Sequence, residues 1–152
     1  MGEVSEPLQD SQEEKRQKAL EMISYIESQI EQGKRIGAKF PEVEGLLAGA
    51  KMMIDGGSYD DASEMINQAS QMAGQARLDY DVLTNTIKKA EKEIHDAELA
   101  GKNVEEPKRL LKLARYHMVE GSYSMGVSYA KRSVETLTKK KNVEIAWGSG
   151  LN

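Results

Sequence analysis

The chain has no cysteine, which excludes disulfides, thiolate metal sites and a cysteine nucleophile. Aromatic residues are scarce: one Phe, one Trp and six Tyr among 152 residues. A core must therefore be assembled from Leu, Ile, Val, Ala and the eight Met. β-branched runs are absent, whereas Ala, Glu, Lys, Gln and Met are good helix formers. An all-α protein is the natural expectation. No apolar run approaches the roughly 18 residues that a membrane helix needs, so no membrane partner is expected. Met1 to Glu14 is acidic and polar and does not read as a signal peptide. Together these features predict a cytoplasmic protein.

What the chain does contain is a copy of itself, displaced without a gap so that position 37 falls on position 101. Gly37-Ala-Lys-Phe-Pro-Glu-Val-Glu-Gly-Leu-Leu-Ala-Gly-Ala50 lies over Gly101-Lys-Asn-Val-Glu-Glu-Pro-Lys-Arg-Leu-Leu-Lys-Leu-Ala114. In the same register Gly57-Ser58-Tyr59 lies over Gly121-Ser122-Tyr123. Eight positions between 37 and 59 hold the same residue as their partners. The matches are turn glycines, cap residues and helix-core residues, so the copied object is a packing unit. Units this small gain stability by packing on a neighbour.

Charge divides unevenly between the halves. Residues 1–76 hold seven Lys/Arg and fourteen Asp/Glu, a net of −7, and residues 77–152 hold fourteen and eleven, a net of +3. Head-to-tail association, or a polyanionic partner for the second copy, would use this asymmetry. Two solvated surfaces that drifted apart would leave the same pattern.

Hydrophobic spacing gives five helices. Residues 1–11 read as disordered, and Ser11 with Glu14 has capping-box spacing. Helix 1 follows, with the seam Ala19, Ile23, Ile26, Ile30, Gly33 in the 4-3-4 alternation of a coiled coil. Gly33 and Gly37 read as left-handed stops. Helix 2 starts near Pro41, with the seam Val43, Leu46, Leu47, Ala50, Ile54; Gly45, Ala48 and Gly49 make one side thin enough for a close helix crossing. Helix 3 starts after a Ser58 cap, through Ala62, Ile66, Ala69, Ala73 and Ala76. The same phase continues through Tyr80, Leu83, Ile87, Ala90, Ile94 and Ala97, where it coincides with the copy of helix 1. One helix of about 40 residues, about 60 Å long, would join the copies, and a break at Asp79-Tyr80-Asp81 is the competing arrangement. Asn103 with Glu106 reads as the cap of helix 4, whose seam is Leu110, Leu111, Ala114, Met118. Helix 5 runs from Ser122 to about Lys141, and residues 142–152 read as a tail. The expected organisation is therefore a disordered segment 1–11, a first copy 12–79, a second copy 80–141 and the tail 142–152.

Gly57-Ser-Tyr59-Asp-Asp-Ala62 with Ala69 resembles the second half of a tetratricopeptide motif, in which Gly-x-Tyr-x-x-Ala opens a helix and a second Ala follows seven residues later. Leu46-Leu-Ala-Gly-Ala50 looks like the packing stripe of the preceding helix. In the second copy Gly121 and Tyr123 match, while Gly126 and Ser133 replace the two alanines, and the period is 64 rather than 34. Tandem three-helix units sharing a long helix also resemble spectrin-type repeats, without their signature tryptophans. Both resemblances imply protein–protein interaction or spacing, without catalysis.

Candidate sites are few. Met52, Met53, Met65 and Met72 cluster in the first copy, and flexible thioethers suit an adaptable groove; Met53 and Met72 are its expected members, with core packing as the alternative. Trp147 and Ile145 would form a docking motif if the tail is exposed. Lys108, Lys112 and Arg115 make one basic stripe, and Lys88, Lys89 and Lys92 a second, which together could contact phosphates. No aromatic residue interleaves them in sequence, and Glu91, Glu93, Glu105 and Glu106 sit close by, so a solvated face competes with nucleic-acid binding. Lys139-Lys-Lys141 suits the negative end of helix 5. His95 shares a helix face with Glu91 and Glu98, and a metal site would require His117 to face them; ordinary histidines are the simpler reading. Tyr59 and Tyr123 are expected to pack against the preceding helix.

No nucleophile–base pair, phosphate loop or carboxylate pair is readable from spacing, so neither catalytic residues nor a cofactor is expected. The expected function is a non-enzymatic interaction or scaffold module for another protein, with a homodimer as one form. Nucleic-acid binding by the second copy, and an enzyme with a site between the copies, are the alternatives.

Overall fold

The computed structural model describes the backbone of residues 6–150 and the side chains of residues 11–138. Five helices and no strand occur among the described residues: α1 Glu6–Arg35, α2 Pro41–Asp55, α3 Tyr59–Leu99, α4 Glu105–Glu120 and α5 Tyr123–Gly150. The chain divides into two compact units, residues 1–77 and 78–152. The division falls inside α3, which is one helix through Asp79, Tyr80 and Asp81.

In the first unit three helical segments touch pairwise. Lys34 bonds Glu44 at 2.6 Å and Lys51 bonds Glu27 at 2.7 Å, tying α1 to α2. Lys15 reaches Asp60 on α3 at 3.2 Å. Met65 of α3 packs so close to Gly49 of α2 that a Cβ there would lie 2.8 Å from the Met65 methyl. The core is the expected seam: Ala19, Ile23, Ile26 and Ile30 from α1, Val43, Leu47, Ala50 and Ile54 from α2, and Ala62, Ile66, Ala69 and Ala73 from α3, all buried.

The second unit uses the later part of α3 with α4 and α5. Glu91 pairs with Arg115 and Glu98 with Lys108, tying α3 to α4. Tyr80 and Tyr123 meet edge to face, 5.2 Å between centroids, linking α3 to α5. Buried Ser133 on α5 donates its hydroxyl to the Pro107 carbonyl at 2.8 Å. Ser133→Ala, which places there the residue found at position 69, is expected to lower stability by about 1 kcal/mol, read as a shift in urea midpoint.

Turn chemistry sets the helix ends. Among the described residues, Gly37, Gly57, Gly101 and Gly121 have positive φ, at 102°, 79°, 75° and 82°. At Gly37 the amides of Gly37 and Ala38 donate to Lys34 and Gly33; at Gly101 those of Gly101 and Lys102 donate to Glu98 and Ala97. This is the Schellman pattern, which satisfies the last carbonyls of a helix. Gly57 with Ser58, and Gly121 with Ser122, close α2 and α4 by the same two bonds. Three helix boundaries recur at one spacing: Arg35 and Leu99 as ends, Pro41 and Glu105, and Tyr59 and Tyr123, as starts.

Several local expectations change. Gly33 is not a stop: it lies inside α1, and a Cβ on it would stand 2.5 Å from Phe40 Cζ, so its missing side chain makes room for that ring. Of the thin side of α2, only Gly49 meets a neighbouring helix, at Met65 of α3; Gly45 and Ala48 are exposed, and nothing approaches the Cβ position of Gly45 within 4 Å. Gly45→Ala and Gly74→Ala, both in open space, are expected to raise stability by about 0.5–1 kcal/mol each through helix propensity, measured by thermal unfolding. α1 starts at Glu6, upstream of Ser11; Pro7 suits a first turn because its missing amide has no partner there. α5 runs to Gly150, past the expected end near Lys141, with no proline to stop it. Asn103 accepts from the Glu105 amide at 3.0 Å, and Glu106 bonds Arg109 at 2.9 and 2.6 Å.

Candidate functional site

The most informative surface lies between the last two helical segments of each unit, because corresponding positions there carry different side chains. In the first unit it is an open depression of about 460 Å³ between α2 and α3. Met53 and Met65 supply its apolar lining, and Asp61, Glu64, Asn67, Gln68 and Gln71 the polar part. Of the two methionines singled out in the sequence, Met53 lines the depression, and Met65 is the other methionine of its lining. Met72 is half-buried further along α3 and does not line the depression. Gly49 matters here, since any side chain on it would displace the Met65 thioether.

The matching positions of the second unit carry other chemistry. Met53 corresponds to His117, Met65 to Tyr129 and Gln68 to Arg132. The His117 and Tyr129 rings stack, 5.3 Å apart and 3° from parallel. Tyr116 meets His117 edge-on at 5.4 Å, and the Arg132 guanidinium lies 5.5 Å from the Tyr129 centroid. Rings thus meet where the first unit presents thioethers. Linear sequence hides this cluster because its members lie on two helices.

The candidate anion contacts separate into two groups. Lys108 and Arg115 are engaged by Glu98 and Glu91. Lys88, Lys92 and Lys112 are exposed and make no ion pair among the described residues. The basic stripe of α4 therefore faces acidic residues of α3 along one edge. The Glu44 hydrogen bond and charge, with that of Glu31, raise the Lys34 pKa above its ordinary value; the Glu106 hydrogen bonds and charge do the same for Arg109. Any stabilisation from the Lys34 pair is present at neutral pH and fades as alkali removes the Lys34 proton.

Three of the four residues of the conceivable metal site are engaged elsewhere, Glu91 and Glu98 in ion pairs and His117 in its stack, while His95 is exposed. No group of three or more potential ligands converges among the described residues. Likewise, no described helix is long and apolar enough to cross a membrane. Ile145 and Trp147 lie outside the residues whose side chains are described. Large apolar side chains are exposed in pairs one helical turn apart: Met22 and Tyr25 on α1, Leu78 and Val82 on α3, Tyr116 and Val119 on α4. No protein-family model matches the chain, nor does any curated protein or solved structure.

Proposed function

We propose that this chain is a non-enzymatic interaction module, made of two copies of one three-helix unit and presenting helical faces to another protein in the cytoplasm. The duplication is supported by the turns, which share their two closing hydrogen bonds, and by two ion pairs at corresponding positions, Glu27–Lys51 with Glu91–Arg115 and Lys34–Glu44 with Glu98–Lys108. Short apolar stripes on exposed helix faces carry the functional reading, with Tyr116 at 59% and Val119 at 65% exposure the clearest. Aromatic residues at such positions are suited to anchoring an interface. This is also the role that the resemblance to tetratricopeptide and spectrin-type helices implies. A photo-crosslinking residue at position 116 or 119 is expected to capture a defined protein in source cells. Capture of no protein beyond that taken by a probe at exposed Gly45 would refute the reading.

A second reading, nucleic-acid binding by the second unit, is favoured by the aromatic cluster beside Arg132. Tyr116 and Tyr129 could stack bases while Lys88, Lys92 and Lys112 meet phosphates. Binding of a single-stranded oligonucleotide would then fall steeply between about 50 and 200 mM salt and weaken in Tyr116→Ala. Absence of binding at the lower salt removes this reading.

A further inference from the structure

The two units differ in charge and in the side chains between their last two helical segments. Divided as the structure divides it, the chain holds eight Lys/Arg and fourteen Asp/Glu in residues 1–77, a net of −6, and thirteen and eleven in residues 78–152, a net of +2. The acidic unit carries the open depression, with thioethers from Met53 and Met65 and carboxylates from Asp61 and Glu64. That combination fits a lysine side chain, whose aliphatic stem lies on apolar surface while its ammonium bonds a carboxylate. In the basic unit, Lys88, Lys92 and Lys112 are exposed within one helical turn of the Glu91–Arg115 bridge.

We propose that the α2/α3 depression of one chain receives the lysine-bearing α3/α4 flank of a second copy, head to tail. A symmetric contact through the depression would set −6 against −6, and like charges facing each other disfavour it. A contact between unlike units has no such penalty and leaves one depression and one lysine flank of the pair unoccupied. Such a heterologous contact propagates unless its rotation closes a ring. This proposal specifies one partner for the interaction module and rests on that reading. Its failure leaves the crosslinking test with other proteins intact.

Sedimentation equilibrium of the full chain tests it. At about 20 mM salt the weight-average mass is expected to rise with concentration above the 16.9 kDa of one chain, and to return to it at about 0.5 M, where charges are screened within a few ångströms. Asp61→Lys/Glu64→Lys is expected to stay monomeric, as is Lys88→Glu/Lys92→Glu/Lys112→Glu. All five positions are exposed, and circular dichroism melts check that both variants fold. An equal mixture of the two is expected to associate again, because one keeps the lysine flank and the other the acidic depression. A wild-type chain that remains at 16.9 kDa at low salt overturns the proposal. Association that survives either variant, or a mixture that fails to associate, also overturns it by placing the contact elsewhere.

Discussion

Leu83→Ala is expected to lower the unfolding free energy by about 2–5 kcal/mol, and Gly126→Ala by about 1–2 kcal/mol, yet the two together by clearly less than their sum. Leu83 is fully buried. A Cβ on Gly126 would stand 2.7 Å from Leu83 Cδ2 and 3.3 Å from the Ala114 carbonyl oxygen. Elsewhere in a helix, glycine to alanine is worth about 1 kcal/mol of stabilisation. Here the methyl enters space that the leucine already fills, and the surrounding helices hold the leucine in place. Removing the leucine first makes room for the methyl. The corresponding positions of the first unit, Ala19 and Ala62, are both buried alanines, so the double variant installs a combination that the fold already uses. Urea unfolding of the four proteins gives the coupling energy. Strict additivity would mean that leucine and glycine do not share one space.

The second large effect concerns Phe40. Gly33→Ala is expected to destabilise by about 1–3 kcal/mol, the reverse of Gly45→Ala and Gly74→Ala. The new methyl would collide with Phe40 Cζ and Cε2, at 2.5 and 2.6 Å, and the ring is buried at 3% exposure. Phe40→Val alone leaves a gap and is expected to cost about 1–3 kcal/mol. Combined, the substitutions recreate Ala97 with Val104, the buried residues of the second unit. The combined protein is expected to be more stable than Phe40→Val alone, in the same denaturant series. If Gly33→Ala instead stabilises, the ring has an alternative position and the size match is incidental.

The core is legible in the sequence because it is periodic. Ala19, Ile23, Ile26 and Ile30 follow helical spacing, and burial follows the spacing. The stops are legible where glycine needs positive φ, at Gly37, Gly57, Gly101 and Gly121. Gly33 misleads because a glycine that yields space to a ring looks the same as one that ends a helix. Only the path of the chain through Phe40 separates the two roles. Spacing does not separate Met65 from Met72 for a related reason: both are half-buried on α3, and it is Met65 that meets Gly49 of α2 and borders the depression. The ring cluster is invisible in sequence because stacking of His117 on Tyr129 joins separate helices.

The ion pair at the Schellman turns has opposite polarity in the two units. Lys34 meets Glu44, whereas Glu98 meets Lys108. A chain with two similar halves risks folding one half's helix onto the other half's partner. Exchange of α2 and α4 would set Lys34 against Lys108 and Glu98 against Glu44, and would press Phe40 toward Ala97 rather than Gly33. Each exposed charge contributes under about 1 kcal/mol, but together with the size mismatch the signs act as proofreading marks, making the correct assembly distinguishable from its near-twin while the chain is still folding.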